Sequence, residues 1–352
     1  MDPRIKTILE YAVMAPSGDN CQPWKVRVDG LRVDLFNDPD RDGSLYNLNQ
    51  RASLIAHGAF LENLQLAARS CGLYSNVEML PDPGNSSHVA TATFTAAGVE
   101  ESELFSAIPS RVTNRERYQP VRISDKQVKQ WRDLTAGAGE KIWVSCDQEQ
   151  IKRLAQLLSL NDRLVFEVPA LHQFLFEQIR WTDNEARATA DGLDIKTLGL
   201  SPIDRIFFRL FKSWTLVSTI NRIGFSKIIQ FKAKQLVNSS SAVVIITMQG
   251  AESVDYIRGG TTWQRLLLQL ASEGLHAQPV AGLACLMQSA REGLLDNNVA
   301  AQQMTCLSNV REDLLRITGA SDSDVILAMF RVGRGPSVTR SLRRPFDVLM
   351  IE

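Results

Sequence analysis

The sequence predicts an α+β fold in which two related halves each pack helices around a sheet. Three observations predict it. Runs of strand length, among them Lys25–Val28, Leu31–Phe36, Val89–Thr95, Ser240–Thr247 and Val325–Gly333, are apolar or alternating. Long stretches of helical period separate them. Gly58–Leu73 also matches Gly260–Leu275 without gaps at six of sixteen positions, which reads as a diverged duplication. At 352 residues and 44% hydrophobic content, the chain fits two domains or one duplicated unit with sizeable cores.

Asp2 can cap a first helix, Pro3 suits its first turn, and Ile5, Ile8, Leu9, Ala12 and Val13 share one face. Pro16 and Gly18 stop it. Asp29-Gly30 favours a tight hairpin turn between the first two strands. A polar loop runs to Gln50, and Arg51–Gly72 then reads as a long helix with Gly72 as its C-terminal stop. Ser124 and Gln127 form a capping box that opens a helix through Val128, Trp131 and Leu134. Ser240–Thr247, with the unbroken apolar run Ala242–Ile246, reads as a buried strand, and Val325–Gly333 is the last strand.

A second internal match is weaker. Laid on Ala15–Trp24, the stretch ending at Trp143 puts Trp143 on Trp24 and Gly137 on Gly18, while Ser17, Asn20 and Gln22 meet Ala136, Gly139 and Lys141. Trp24 to Gly58 spans 34 positions and Trp143 to Gly260 spans 117, so the second half carries an insertion at about 160–235. Within it Ile206, Phe207, Leu210, Phe211 and Trp214 lie at helical spacing among basic residues. A buried helical pair is the expected explanation; a basic amphipathic helix on a membrane surface is the alternative.

Composition narrows the function. Lys plus Arg equals Asp plus Glu at 39 each, so no net charge argues for nucleic acid. No apolar run reaches the ~18–20 residues of a membrane span, and no basic region followed by an apolar run opens the chain. Cys21, Cys71, Cys146, Cys285 and Cys306 are odd in number and scattered, which suits reduced thiols in a cytosol. The four histidines show no ligand spacing, and no metal is expected. There is no G-x-G-x-x-G for a separate nucleotide domain and no G-x-S-x-G for hydrolysis.

Three motifs carry chemistry. Ala15–Trp24 packs Ser17, Asp19, Asn20 and Gln22 into a loop fenced by Pro16, Pro23 and Trp24, either a polar turn or a recognition loop. Arg111, Arg115 and Arg117 alternate through Ser110–Tyr118, either as a surface salt-bridge cluster or as an anion site in which guanidinium forks hold phosphate oxygens and Thr113 adds a hydroxyl. Arg340, Arg343 and Arg344 form a third basic group before Pro345, a solvated tail by default.

Together these residues resemble the nitroreductase family of FMN oxidoreductases. Pro-Ser-x-x-Asn-x-Gln-Pro-Trp is similar to that family's flavin-edge loop, and Arg-x-Thr-x-Arg to its phosphate-binding Arg-x-Ser-x-Arg. The resemblance implies FMN as cofactor, with contacts from Pro16, Ser17, Gly18, Asn20, Gln22, Arg111, Thr113 and Arg115. It extends to Ala277–Leu283, where Ala281 and Gly282 would offer backbone N–H groups near the flavin N5, and to Arg343 and Arg344 at the phosphate.

Each half keeps what the other lacks: the edge loop lies in residues 1–105 and the arginine motif in 106–352. That complementarity resembles the Acg-type branch, two nitroreductase-like halves fused as an internal pseudo-dimer. It implies a cytoplasmic monomer, or a pair of fused chains, with NAD(P)H as electron donor and a nitroaromatic or quinone-like small molecule as acceptor. The insertion would be a lid over the flavin. An FMN-storing protein with an occluded flavin is the alternative. No side chain is expected to act as acid or base.

Overall fold

Asp2 Oδ1 accepts the Arg4 N–H at 2.8 Å and so caps the helix Pro3–Ala12, which buries Ile5, Ile8, Leu9 and Ala12. The computed structural model describes residues 1–100, 102–137, 139–295 and 298–351; Ala138, within the stretch compared with the edge loop, lies outside them. Among the described residues ten strands follow one another as β1 (Trp24–Asp29), β2 (Arg32–Asn37), β3 (Leu73–Met79), β4 (His88–Ala96), β5 (Glu140–Ser145), β6 (Ile179–Arg180), β7 (Leu193–Asp194), β8 (Ala242–Met248), β9 (His276–Pro279) and β10 (Val325–Gly333). Two four-stranded sheets have the orders β1-β2-β4-β3 and β5-β8-β10-β9, antiparallel throughout, and β6 pairs with β7 in parallel. The two large sheets thus share one strand order, first-second-fourth-third.

Asp29 lies opposite Arg32, so the hairpin turn is Gly30-Leu31, one residue beyond the expected Asp29-Gly30. Gly30 sits at φ 55°, which accounts for a glycine there. Strand β3 was hidden in the sequence because its alternation rests on few apolar residues and only Leu73 and Ser75 are fully buried. Trp24 opens β1, whereas Trp143 is the fourth residue of β5. Along β8, Val244, Ile246 and Met248 face one core while Val243 and Ile245 face another, which is why that strand reads as an unbroken apolar run.

In each sheet a twenty-residue helix joins the second strand to the third: Arg51–Ser70 in the first and Ser253–Ser272 in the second. These helices cross at two glycines. A Cβ on Gly58 would lie 1.9 Å from the Ile257 carbonyl oxygen, and one on Gly260 would lie 2.1 Å from that of Ile55. Flanking pairs are reciprocal too: Gln264 Nε2 donates to Asn63 Oδ1 at 2.7 Å, and Arg265 Nε donates to Glu62 Oε1 at 2.8 Å. One core takes in Trp24 and Phe60 of the first sheet's side and Trp263 and Phe330 of the second's.

The expected solvated tail is instead packed. Phe346 and Leu349 are buried, Met350 bridges Val26 on the edge of β1, and Ile351 N–H donates to the Val26 carbonyl at 2.9 Å. The insertion holds six helices, Leu160–Val165, Pro169–Gln178, Asp183–Thr189, Pro202–Leu210, Trp214–Asn221 and Phe225–Asn238. Their small core centres on Val165, Phe166, Phe176, Ile179, Ile195 and Val217. The stripe expected to be buried is split: Phe211 and Trp214 pack against this core, but Ile206, Phe207 and Leu210 are exposed. No helix among the described residues is long and apolar enough to cross a membrane.

Candidate functional site

The loop after the first helix is conformationally costly. Asp19, Asn20 and Gln22 all have positive φ, at 42°, 60° and 53°. L-residues pay for that region, Asn and Asp least, so the loop persists only because its surroundings over-determine it. Ser17 Oγ accepts the Gln22 N–H at 2.9 Å, closing the turn.

Two other segments reach this loop. Arg111 follows the short helix Glu103–Ala107, and Thr113 forms a parallel bridge to Ala277 of β9, which fixes the arginine motif beside the second sheet. The C-terminal segment returns across both. The resulting cleft, of about 60 Å³, is lined by Pro16, Ser17, Asp19 and Asn20, by Arg111, Thr113 and Arg115, and by Arg340 and Arg343. A cleft of that size holds about four waters, or a compact anion.

Its electrostatics are one-sided. Arg111, Arg115, Arg340 and Arg343 face it, and none forms a salt bridge among the described residues. Among the described residues the arginine motif therefore builds no salt-bridge cluster. Their bonds go to neutral oxygens: Arg111 Nη2 to the Met14 carbonyl at 2.7 Å, Arg115 Nη1 to Thr197 O at 3.1 Å, Arg340 Nη1 to Pro109 O at 2.8 Å, and Arg343 Nη1 to Asn20 Oδ1 at 2.8 Å. The Nε atoms of Arg111 and Arg343 are buried and have no hydrogen-bond partner among the described residues. Burial, with Arg343 and Arg340 adding to it, pushes Arg111 well below the usual guanidinium range, and burial beside Arg340 pushes Arg343 down to about 9. A guanidinium keeps its proton in proteins, so an anion is what relieves such a site. A phosphate monoester fits this donor set.

Asp19 is the acidic group in the lining. Burial pushes its carboxyl up to about 6, with Asp42 adding to the rise and Arg115 opposing it. Its folded pKa exceeds the unfolded one, so stability is lost as pH rises from about 4 through about 6. Asp19→Asn is expected to raise the melting temperature of the ligand-free protein at pH 7 and to leave it unchanged below pH 4. Melts at both pH values check this, and an equal gain at both would reject the ionisation argument.

The other expected residues are placed differently. Gln22 is fully buried; its Nε2 donates to the Ala190 carbonyl at 2.9 Å and its Oε1 accepts the Arg344 N–H at 2.9 Å. Asn20 Nδ2 donates to the carbonyls of Gly192 and Leu342. Arg344 thus meets the loop through its backbone, and Arg340, three residues after Ser337 in the same tail, lines the cleft instead. Gly18 approaches Asp42, where a Cβ would sit 3.4 Å from its carboxylate. Ala281 and Gly282 open the helix Ala281–Arg291 immediately after β9; they do not line the cleft, and a Cβ on Gly282 would lie 2.7 Å from the Tyr46 ring.

Sequence reasoning missed Asp19 and Arg340 as lining groups, and Leu193, which joins them from the insertion. The insertion segment is held down by Asp191, which pairs with Arg180 at 2.6 Å and with Arg41. Among the described residues no group of three or more His, Cys, Asp or Glu side chains forms a metal site.

No family model matches the chain. It is 25% identical over 281 residues to an uncharacterized protein of Mycobacterium tuberculosis, a match covering 79% of this chain and only 39% of that relative's length. It is 26% identical over 275 residues to the M. tuberculosis protein named putative NAD(P)H nitroreductase acg, covering 77% of this chain and 78% of the other. Among solved structures, a nitroreductase with bound FMN from Desulfitobacterium hafniense aligns over 70% of this chain and 97% of its own, at 10% identity and a TM-score of 0.38.

Proposed function

We propose that this chain, a homologue of the proteins named putative NAD(P)H nitroreductase acg, is an FMN-binding oxidoreductase that passes electrons from NAD(P)H to a nitroaromatic or quinone-like acceptor. The observation that carries the proposal is the cleft lined by Arg111, Arg115, Arg340 and Arg343 with no carboxylate bridged to any of them among the described residues. FMN, when bound, supplies the two-electron redox chemistry. The phosphate is assigned to the four guanidiniums and the Thr113 hydroxyl, and the neighbouring polar edges to Ser17 and Asn20. Orphaned Nε atoms on Arg111 and Arg343 support the fit, since a phosphate oxygen would complete both. Fixed cationic donors also favour added negative charge on a bound group without rearranging.

The site would be built once, from both halves. Its lining joins Pro16, Ser17, Asp19 and Asn20 of residues 1–105 to Arg111, Thr113, Arg115, Arg340 and Arg343 of residues 106–352. We read these as duplicated nitroreductase-like halves. Support comes from the common strand order and from the reciprocal contacts of Gly58 with Ile257 and Gly260 with Ile55. A monomer follows, since the partner surface is internal.

A second reading, FMN storage beneath a lid, is favoured by a specific feature. The Ala190 and Gly192 carbonyls of the insertion take the amide protons of Gln22 and Asn20, and Thr197 O takes Arg115. An absorbance spectrum of the purified protein, repeated anaerobically with NADPH and then NADH, separates the readings. A flavin spectrum that bleaches is the expected result. A flavin that stays oxidised favours storage, and failure to take up added FMN sinks both.

A further inference from the structure

We propose that the exposed face of helices Pro202–Leu210 and Phe225–Asn238 is a docking surface for an anionic phospholipid bilayer, on which the protein rests without crossing it. The helix Pro202–Leu210, capped by Ser201 and with Pro202 at its start, is amphipathic in an inverted sense. A helix on a globular protein ordinarily turns its apolar stripe inward. Here Phe208 and Phe211 make the inward contacts, with ring centroids 5.1 Å from Phe176 and 4.6 Å from Phe225. The wider stripe, Ile203, Ile206, Phe207 and Leu210 at positions i, i+3, i+4 and i+7, is 56–68% exposed.

The exposure continues along the insertion. Ile223 is exposed at 87%, and Ile228 and Phe231, one turn apart on the next long helix, at 55% and 60%. Exposed apolar side chains at this density, at helical spacing along successive segments, mark a contact site rather than ordinary surface scatter.

Charge selects the occupant. Between residues 201 and 240 there are seven Lys or Arg residues against one carboxylate, Asp204, in a chain whose charges cancel overall. Arg205, Arg209, Lys212, Arg222, Lys227, Lys232 and Lys234 form no salt bridge among the described residues. Two copies of this face would bring like charge against like charge, which disfavours self-association. A duplex or strand of nucleic acid would satisfy the cations and leave the aliphatic stripe in water. An anionic bilayer meets both demands: the acyl boundary takes the Ile and Phe side chains, and the lipid phosphates take the Lys and Arg heads.

Co-sedimentation of the full chain with vesicles tests this. Vesicles of phosphatidylglycerol mixed with phosphatidylcholine should bind it at least tenfold more tightly than phosphatidylcholine alone, and the binding should weaken as salt rises. Ile206→Asp with Phe207→Asp should lose that binding at least tenfold, with far-UV circular dichroism and melting temperature unchanged because both side chains are exposed. Lys227→Glu with Lys232→Glu, which leaves the apolar stripe intact, should also weaken it. No binding to the mixed vesicles, equal binding to both vesicle types, or full binding by the Asp variants each overturns the proposal. So does a concentration-dependent dimer abolished by Phe207→Asp, which would make the face an interface between copies.

Discussion

Arg111→Ala is expected to lower FMN affinity by about two to three orders of magnitude while leaving the ligand-free protein as thermostable as the parent. Truncating one partner of a buried, hydrogen-bonded charge pair costs roughly 2–5 kcal/mol, most of it the penalty on the group left behind. Arg111 is 4% exposed and lies among Arg340 and Arg343, so a phosphate bound here would lose a desolvated fork. Without ligand the balance reverses. The guanidinium is then a buried cation beside two others, and its removal relieves repulsion that offsets the lost bond to Met14. Fluorescence titration of FMN and a melt of the ligand-free protein read the two halves of this expectation. A structural arginine would give the opposite pair: a lower melting temperature with affinity preserved.

Gly260→Ala should be strongly destabilising for a single added methyl, at about 3 kcal/mol, the upper part of the range for overpacking. The added Cβ would meet the Ile55 carbonyl at 2.1 Å, and this neighbour is backbone, so no rotamer change makes room. The two long helices must move apart, loosening a core that includes Trp24, Phe60, Trp263 and Phe330. Gly58→Ala presses on the same crossing from the other side, so the double variant should lose less than the sum of the singles. Gly43→Ala, which meets nothing within 4 Å, is the control and should lie within about 0.5 kcal/mol of the parent. Urea midpoints measure all four. A Gly260→Ala midpoint equal to that of Gly43→Ala would mean the crossing yields without cost.

The sequence by itself determined the elements whose signals are local. Asp2 and the Ser124–Gln127 box mark helix starts through bonds spanning at most three residues. The apolar run of β8 records burial on both faces. The motifs that supply Ser17, Asn20, Arg111, Thr113, Arg115 and Arg343 to the cleft were likewise visible as local clusters of guanidinium, hydroxyl and amide groups.

Only the tertiary structure decided which of those groups converge. Asn20 and Arg343 are 323 residues apart and bonded; Gln22 is spent on Ala190 and Arg344. Arg340 and not Arg344 turns its side chain into the cleft, a choice set by how the tail crosses the loop on its way to β1. The insertion shows the limit most clearly. Helical spacing marked Ile206, Phe207 and Leu210 as one stripe, but period fixes only that residues share a face. Whether that face meets protein or solvent depends on what the rest of the chain places against it, and here the neighbouring helices take Phe208 and Phe211 instead.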